Sequence, residues 1–319
     1  MKKRKIGIAL LSLSLISILF FSAWPQGKEL EGTVSLSGAW ALYPMALKWA
    51  EEFMKLHPQV RLDVQAGGAG KGVADALAGA VDFGMVSRAI HPAEVEKGAF
   101  AIAVCKDAVV PTASEKNPFL SRIIKVGVKK ETLGAIWVTE EAKTWGDVLG
   151  TGDKTPLHVY TRSDACGAAE TWADFFGKRQ DDLKGVGVYG DPGLAEAVRR
   201  DPLGLGYNNI NYAYDAKTKK PIQGIVILPI DLNGDGKVDE KESFYQDRDA
   251  ITKAVAGGAY PSPPARDLYL VTKGKPGKAI LVEFLKWILS DGQQYVSETG
   301  YIALSPEKLA EAWQKIGAR

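Results

Sequence analysis

Apolar residues along this chain change period repeatedly: a short alternating run, a turn of small residues, then apolar positions three and four apart. Gly32-Thr-Val-Ser-Leu36 alternates as a strand, and Ser37-Gly-Ala-Trp-Ala-Leu-Tyr-Pro44 is a turn. Leu42, Met45, Trp49, Phe53 and Leu56 then mark the buried stripe of a helix that stops before His57-Pro58, with Pro44 suited to its first turn. The pattern recurs at once. Residues 60–64 alternate, 66–72 are nearly all Gly and Ala, and Val73, Leu77 and Val81 return at helical spacing. Val81-Asp-Phe-Gly-Met-Val-Ser-Arg88 reads as a buried strand that delivers Ser87 and Arg88 at its C-terminal end.

Further along, Ala99 to Val110 is a strand, which Pro111 and Lys116-Asn-Pro118 are expected to break. Residues 131–150 give a helix and a turn around Trp145-Gly-Asp. Leu157-His-Val-Tyr160 is a strand, followed by Thr161 to Glu170 and a helix through Phe176 that ends at Gly177, with Asp164 as its N-cap. Asp267 to Thr272 is a strand and Ala279 to Leu289 an amphipathic helix, while Gly300-Tyr-Ile-Ala-Leu304 precedes a last helix. The class is α/β. A first crossing near 105–112 and a return at Pro261-Ser-Pro-Pro264 divide the chain into a discontinuous lobe one, 26–108 plus 265–319, and a lobe two, 109–264.

Strand–turn–helix units leave free N–H groups at the helix start, where the helix dipole favours negative charge. Three such units occur, and the third carries Arg162 directly before its helix, in the other half of the chain. Two lobes closing on one small anion is the arrangement this predicts. The glycine-rich turn is not a Walker loop, because Gly72 rather than Ser or Thr follows Lys71. Gly68, Gly70 and Gly72 fall at every second position, so it is not a dinucleotide fingerprint either.

Composition narrows the class. At 46% hydrophobic residues and a net charge of +2, the chain is ordinary for a globular protein and shows no global sign of binding nucleic acid. Lys2-Lys-Arg-Lys5 before the apolar run Ile6 to Trp24 reads as an export signal. Residues 1–25 are thus expected to be a signal peptide or a retained N-terminal anchor. Cys105 and Cys166 are expected as separate buried thiols, although export would permit a disulfide and Cys166 at a helix start could be a low-pKa thiol. The three histidines, His57, His91 and His158, fit no metal-ligand spacing, and no G-x-S-x-G occurs. An enzyme is not expected.

One further motif stands apart. Asp231-Leu-Asn-Gly-Asp-Gly-Lys-Val-Asp-Glu-Lys-Glu242 fits the twelve-residue calcium loop, with Asp231, Asn233, Asp235, the Lys237 carbonyl, Asp239 and Glu242 as ligands and Gly236 at the sharp turn. The other reading is an acidic hairpin turn. Since Ile225-Val-Ile-Leu before it reads as a strand, a structural ion is expected, not a helix-paired sensor.

In this order, the stretches Ser37 to Pro44, Gln65 to Val73, Val81 to Arg88, Arg162-Ser-Asp-Ala-Cys-Gly167, Arg266 to Pro276 and Gly292-Gln-Gln-Tyr-Val296 resemble the phosphate-binding proteins of ABC-type uptake systems. The resemblance implies a two-lobed periplasmic-binding-protein fold of type II, acting as a monomer that captures phosphate outside the cytoplasm for a membrane permease. It implies ligand contacts from Ala41, Leu42 and Tyr43, from Gly68, Ala69 and Gly70, from Ser87 and Arg88, and from Arg162, Cys166, Gly167 and Ala168. Several hydroxyls usual in that family are missing: Ala41 or Leu42, Ala69, Cys166 and Ala168 stand in their place, and Ser87-Arg88 lies where many relatives carry an Asp. Sulfate, molybdate or tungstate therefore remain open as ligands, as does a membrane-tethered receptor role.

Overall fold

A computed structural model describes residues 29–317. The export signal expected over residues 1–25 lies outside the described residues. The chain builds β1 (Gly32–Gly38), α1 (Tyr43–Leu56), β2 (Val60–Ala66), α2 (Ala69–Ala78), β3 (Phe83–Val86) and α3 (Pro92–Glu96) before the long β4 (Ala99–Ser114). There follow α4 (Leu120–Val126), β5 (Val128–Lys129), α5 (Lys130–Trp137), α6 (Trp145–Leu149), β6 (His158–Arg162), α7 (Gly167–Phe175), β7 (Val186–Val188) and α8 (Gly190–Arg200). Next come β8 (Gly204–Asn209), α9 (Ile210–Ala213), β9 (Ile225–Ile227), β10 (Ile230–Asp231) and α10 (Arg248–Ala256). The chain returns through β11 (Ala265–Lys273) and finishes with α11 (Ala279–Leu289), α12 (Gln294–Glu298) and α13 (Pro306–Ile316).

The strands run β2-β1-β3-β11-β4-β8-β6-β7, with β9 beside β4 and a separate β5–β10 pair. The β1–β2, β1–β3, β6–β8 and β6–β7 pairs are parallel, as strand–helix–strand units require, whereas β11 and β4 are antiparallel. The hydrophobic residues fall into two clusters. One gathers Trp49, Phe53, Phe83, Phe284 and Trp287; the other gathers Trp137, Trp145, Trp172, Tyr207 and Tyr260. Along β4 the change of cluster falls between Cys105 and Ala108, and along β11 between Ala265 and Leu268. Beyond β11, Ile302 is the one described residue that packs with the second cluster.

Four elements differ from the pattern reading. Pro111 does not break its strand. Its carbonyl accepts from Leu228 N at 2.9 Å just past the end of β9, so its missing N–H falls where that ladder stops. Leu56 is 60% exposed, because the last turn of α1 runs past the sheet. Val81 lies beyond α2, which the left-handed Gly79 ends two residues earlier. The cap of α7 is Cys166, whose Sγ accepts from Ala169 N at 3.3 Å. Asp164 is instead drawn to Arg162.

Candidate functional site

The helix starts gather where the two clusters meet. After β1, Leu42 N and Tyr43 N both donate to Ala39 O, at 3.1 and 3.2 Å, which closes the turn into α1 and occupies two of the amides expected for the ligand. Ala41 and Leu42 are fully buried; Tyr301 OH donates to Ala41 O at 2.6 Å and Tyr212 OH to Trp40 O at 3.1 Å. In the glycine turn, Gly68 adopts φ 91°, and its amide donates to Gly38 O at 3.0 Å. Gly70 N crosses to the other lobe and donates to Ala165 O at 3.1 Å. Its amide is thus a latch between lobes. Ala69, buried, begins α2.

Part of the glycine pattern answers to packing alone. A Cβ on Gly84 would lie 2.2 Å from Gly72 O, and one on Gly72 would lie 2.5 Å from Met85 O. These glycines let α2 lie directly on β1 and β3. At the lobe seam, a Cβ on Gly167 would stand 2.2 Å from Ser87 Oγ, and one on Gly68 2.8 Å from Ala165 O. The lobes are closed on each other.

Arg162 is the buried cation of this seam. Its Nε and Nη2 donate to the two oxygens of Asp164, at 2.8 and 2.6 Å, and its Nη1 donates to Asp191 at 2.6 Å. Burial works against its charge, but Asp191 and Asp164 more than offset it and hold the guanidinium ionised. Of the five N–H groups of a guanidinium, three are used, leaving one on each Nη. Asp191 is in turn held by Asn209, whose side-chain amide donates to it at 2.8 Å. Arg266 reaches Asn209 Oδ1 and lies 3.6 Å from Asp107. Burial lowers the Arg266 pKa and pushes Asp107 up to about 7, against the pull of the arginine.

Arg88 goes elsewhere. Its guanidinium makes a paired contact with Glu94, at 2.7 and 2.9 Å, and donates to Ala89 O, at the cleft mouth and away from Arg162. Ser87 is buried against Gly167, and Ala168 is buried in the first turn of α7. The Cys166 amide donates to Gln180 Oε1 at 3.0 Å, and burial raises its thiol to about 12, so it is not the low-pKa nucleophile its helix start suggested. Cys105 and Cys166 are both free and buried. A cavity of about 340 Å³ opens at the mouth between Gly70, Arg88, His91, Ser163, Cys166 and Arg179.

The pattern reading missed Asp191, Asn209 and Asp107, and used Arg266 only for its resemblance. Asp191 lies 29 residues and Asn209 47 residues from Arg162, so no local spacing announces the cluster.

The model of the PBP superfamily domain matches residues 25–292. The chain belongs to that family. The phosphate-binding protein PstS of Pseudomonas aeruginosa is 29% identical to this PBP-superfamily chain over 316 residues, covering 90% of it and 88% of the relative. PstS of Staphylococcus haemolyticus is 26% identical over 292 residues, covering 88% and 84%. The crystal structure of an ABC-type phosphate transport receptor from Vibrio cholerae superposes with a TM-score of 0.62 at 16% identity, covering 85% of this chain and all of that one, which establishes the two-lobed fold.

Proposed function

We propose that the protein is an extracytoplasmic solute-binding protein that captures phosphate between its lobes and delivers it to an ABC transporter permease. The observation that carries this reading is Arg162, a buried cation at the lobe seam, with two N–H groups to spare and the starts of α2 and α7 around it. The names and coverage of the relatives support phosphate as the anion.

The missing hydroxyls shift the burden of binding onto backbone amides and Arg162. Charge-assisted hydrogen bonds are worth about 1.5–3 kcal/mol each, so Arg162→Ala weakens binding at least about tenfold. Titration calorimetry of ligand-stripped protein against phosphate, arsenate, sulfate, molybdate and tungstate tests the reading. One phosphate per chain is expected. Heat from tungstate or sulfate alone would move the protein to another transport class, and no heat from any of them would refute oxyanion capture.

A further inference from the structure

We propose that the loop Asp231–Glu242 is a calcium site that locks lobe two together. β10 enters the loop directly, and α10 begins only at Arg248, so no helix pair flanks it. The first and last candidate ligands are already buried and facing the loop. Asp231 accepts from Gly234 N at 2.7 Å through Oδ1 and from Gly236 N at 2.9 Å through Oδ2, which folds the tip back over it. Both glycines adopt positive φ, 76° and 78°.

Glu242 closes the ring. It is 3% exposed, and its Oε1 accepts from Leu232 N at 2.7 Å and Asn233 N at 3.1 Å, so the carboxylate lies against the start of the loop. Its Oε2 is buried with no hydrogen-bond partner among the described residues. A buried anionic oxygen without a donor is costly, and a cation in the loop supplies what is missing. Asp235 and Asp239 each spend one oxygen on a local turn, accepting from Lys237 N and Lys241 N, and the other has no hydrogen bond among the described residues. Among the described residues no three acidic, His or Cys side chains have yet closed to ligating distance. Calcium binding would draw in the exposed Asp235 and Asp239. Four carboxylates, one amide oxygen and one carbonyl form a hard, flexible, all-oxygen set, which suits calcium better than the strictly octahedral magnesium.

The surroundings show what the ion would hold. β10 pairs with β5, Val238 N donates to Lys125 O at 2.9 Å, and Lys129 Nζ donates to Gly234 O at 2.6 Å. On the exit side Phe244 and Tyr245 enter the aromatic group of Tyr260, and Tyr245 OH accepts from Ile230 N. Closing the loop therefore fixes α4, β5 and the lobe-two core to one another, about a site unconnected to the Arg162 seam.

The test is a thermal melt of chelator-treated full chain with added calcium or magnesium, beside a phosphate titration. A saturable one-site rise in Tm with calcium is expected, with Kd about 10⁻⁴–10⁻³ M as in other extracellular modules. Magnesium at equal concentration gives a smaller shift. Asp235→Ala and Asp239→Ala, both at exposed positions, fold and weaken calcium at least tenfold while leaving phosphate affinity unchanged. A melting curve indifferent to calcium and chelator overturns the proposal, as does a calcium shift that persists undiminished in both variants.

Discussion

Arg162 and Asp107 both set charge against burial, and they resolve the conflict differently. Arg162 takes two carboxylates and stays charged; Asp107 has only Arg266 at 3.6 Å and no hydrogen bond to either side-chain oxygen among the described residues. With its pKa pushed up to about 7, Asp107 holds its proton in the folded chain at pH values where the unfolded chain has released it. Its contribution to stability is therefore complete below about pH 4 and is lost as pH rises to about 7, by a few kcal/mol. Chemical denaturation of the protein and of Asp107→Asn from pH 4 to 8 should show the stability gap between them closing or reversing over that window. A gap independent of pH would mean that Arg266 keeps Asp107 ionised. At this scale the sequence announced Arg162, through its place before a helix, but not its partners. Arg88 looked equivalent, and its pairing with Glu94 depends on the extended His91 cap that turns the chain into α3, which the pattern does not specify.

Among the elements, the glycine turn was legible as a strand–turn–helix join, yet its glycines divide between two tasks. Gly68 and Gly70 meet the opposite lobe, while Gly72 meets Gly84 and Gly38 beneath α2. Helical spacing identifies a helix but not the distance at which it packs, so the second task was invisible. Two substitutions separate the tasks. Gly84→Ala forces α2 off the sheet and should cost about 1–3 kcal/mol in denaturant unfolding, as overpacking does, with little change in phosphate affinity for the protein that remains folded. Gly167→Ala should act the other way. Its methyl would meet the Ser87 backbone and hydroxyl only when the lobes are shut, so phosphate affinity falls sharply while the melting temperature of ligand-free protein moves little. Equal loss of stability in both variants would contradict this division.

Across the whole molecule, two lobes share a sheet through β4 and β11, and the two-lobed reading came from three strand–turn–helix units divided between two halves of the chain. The exact crossing was less legible: β4 passes straight through Pro111, since a strand that changes neighbours need not change direction. A ligand that binds only the shut form stabilises it by mass action. Phosphate at a hundred times its Kd should add about 2.7 kcal/mol, visible as a concentration-dependent rise in Tm that a tenfold loss of affinity in Arg162→Ala cuts to about 1.4 kcal/mol at the same phosphate concentration.

The order of strands has a consequence for the birth of the protein. β11 is inserted between β3 and β4, although it is made after all of lobe two. A growing chain that has reached residue 264 owns every residue of 109–264 but leaves β3 and β4 with bare facing edges. The middle of the chain can therefore mature first, and the beginning must wait for the end. A fragment spanning 109–264 should show a cooperative melt by itself, whereas a chain truncated after 264 should aggregate through the gap that β11 fills.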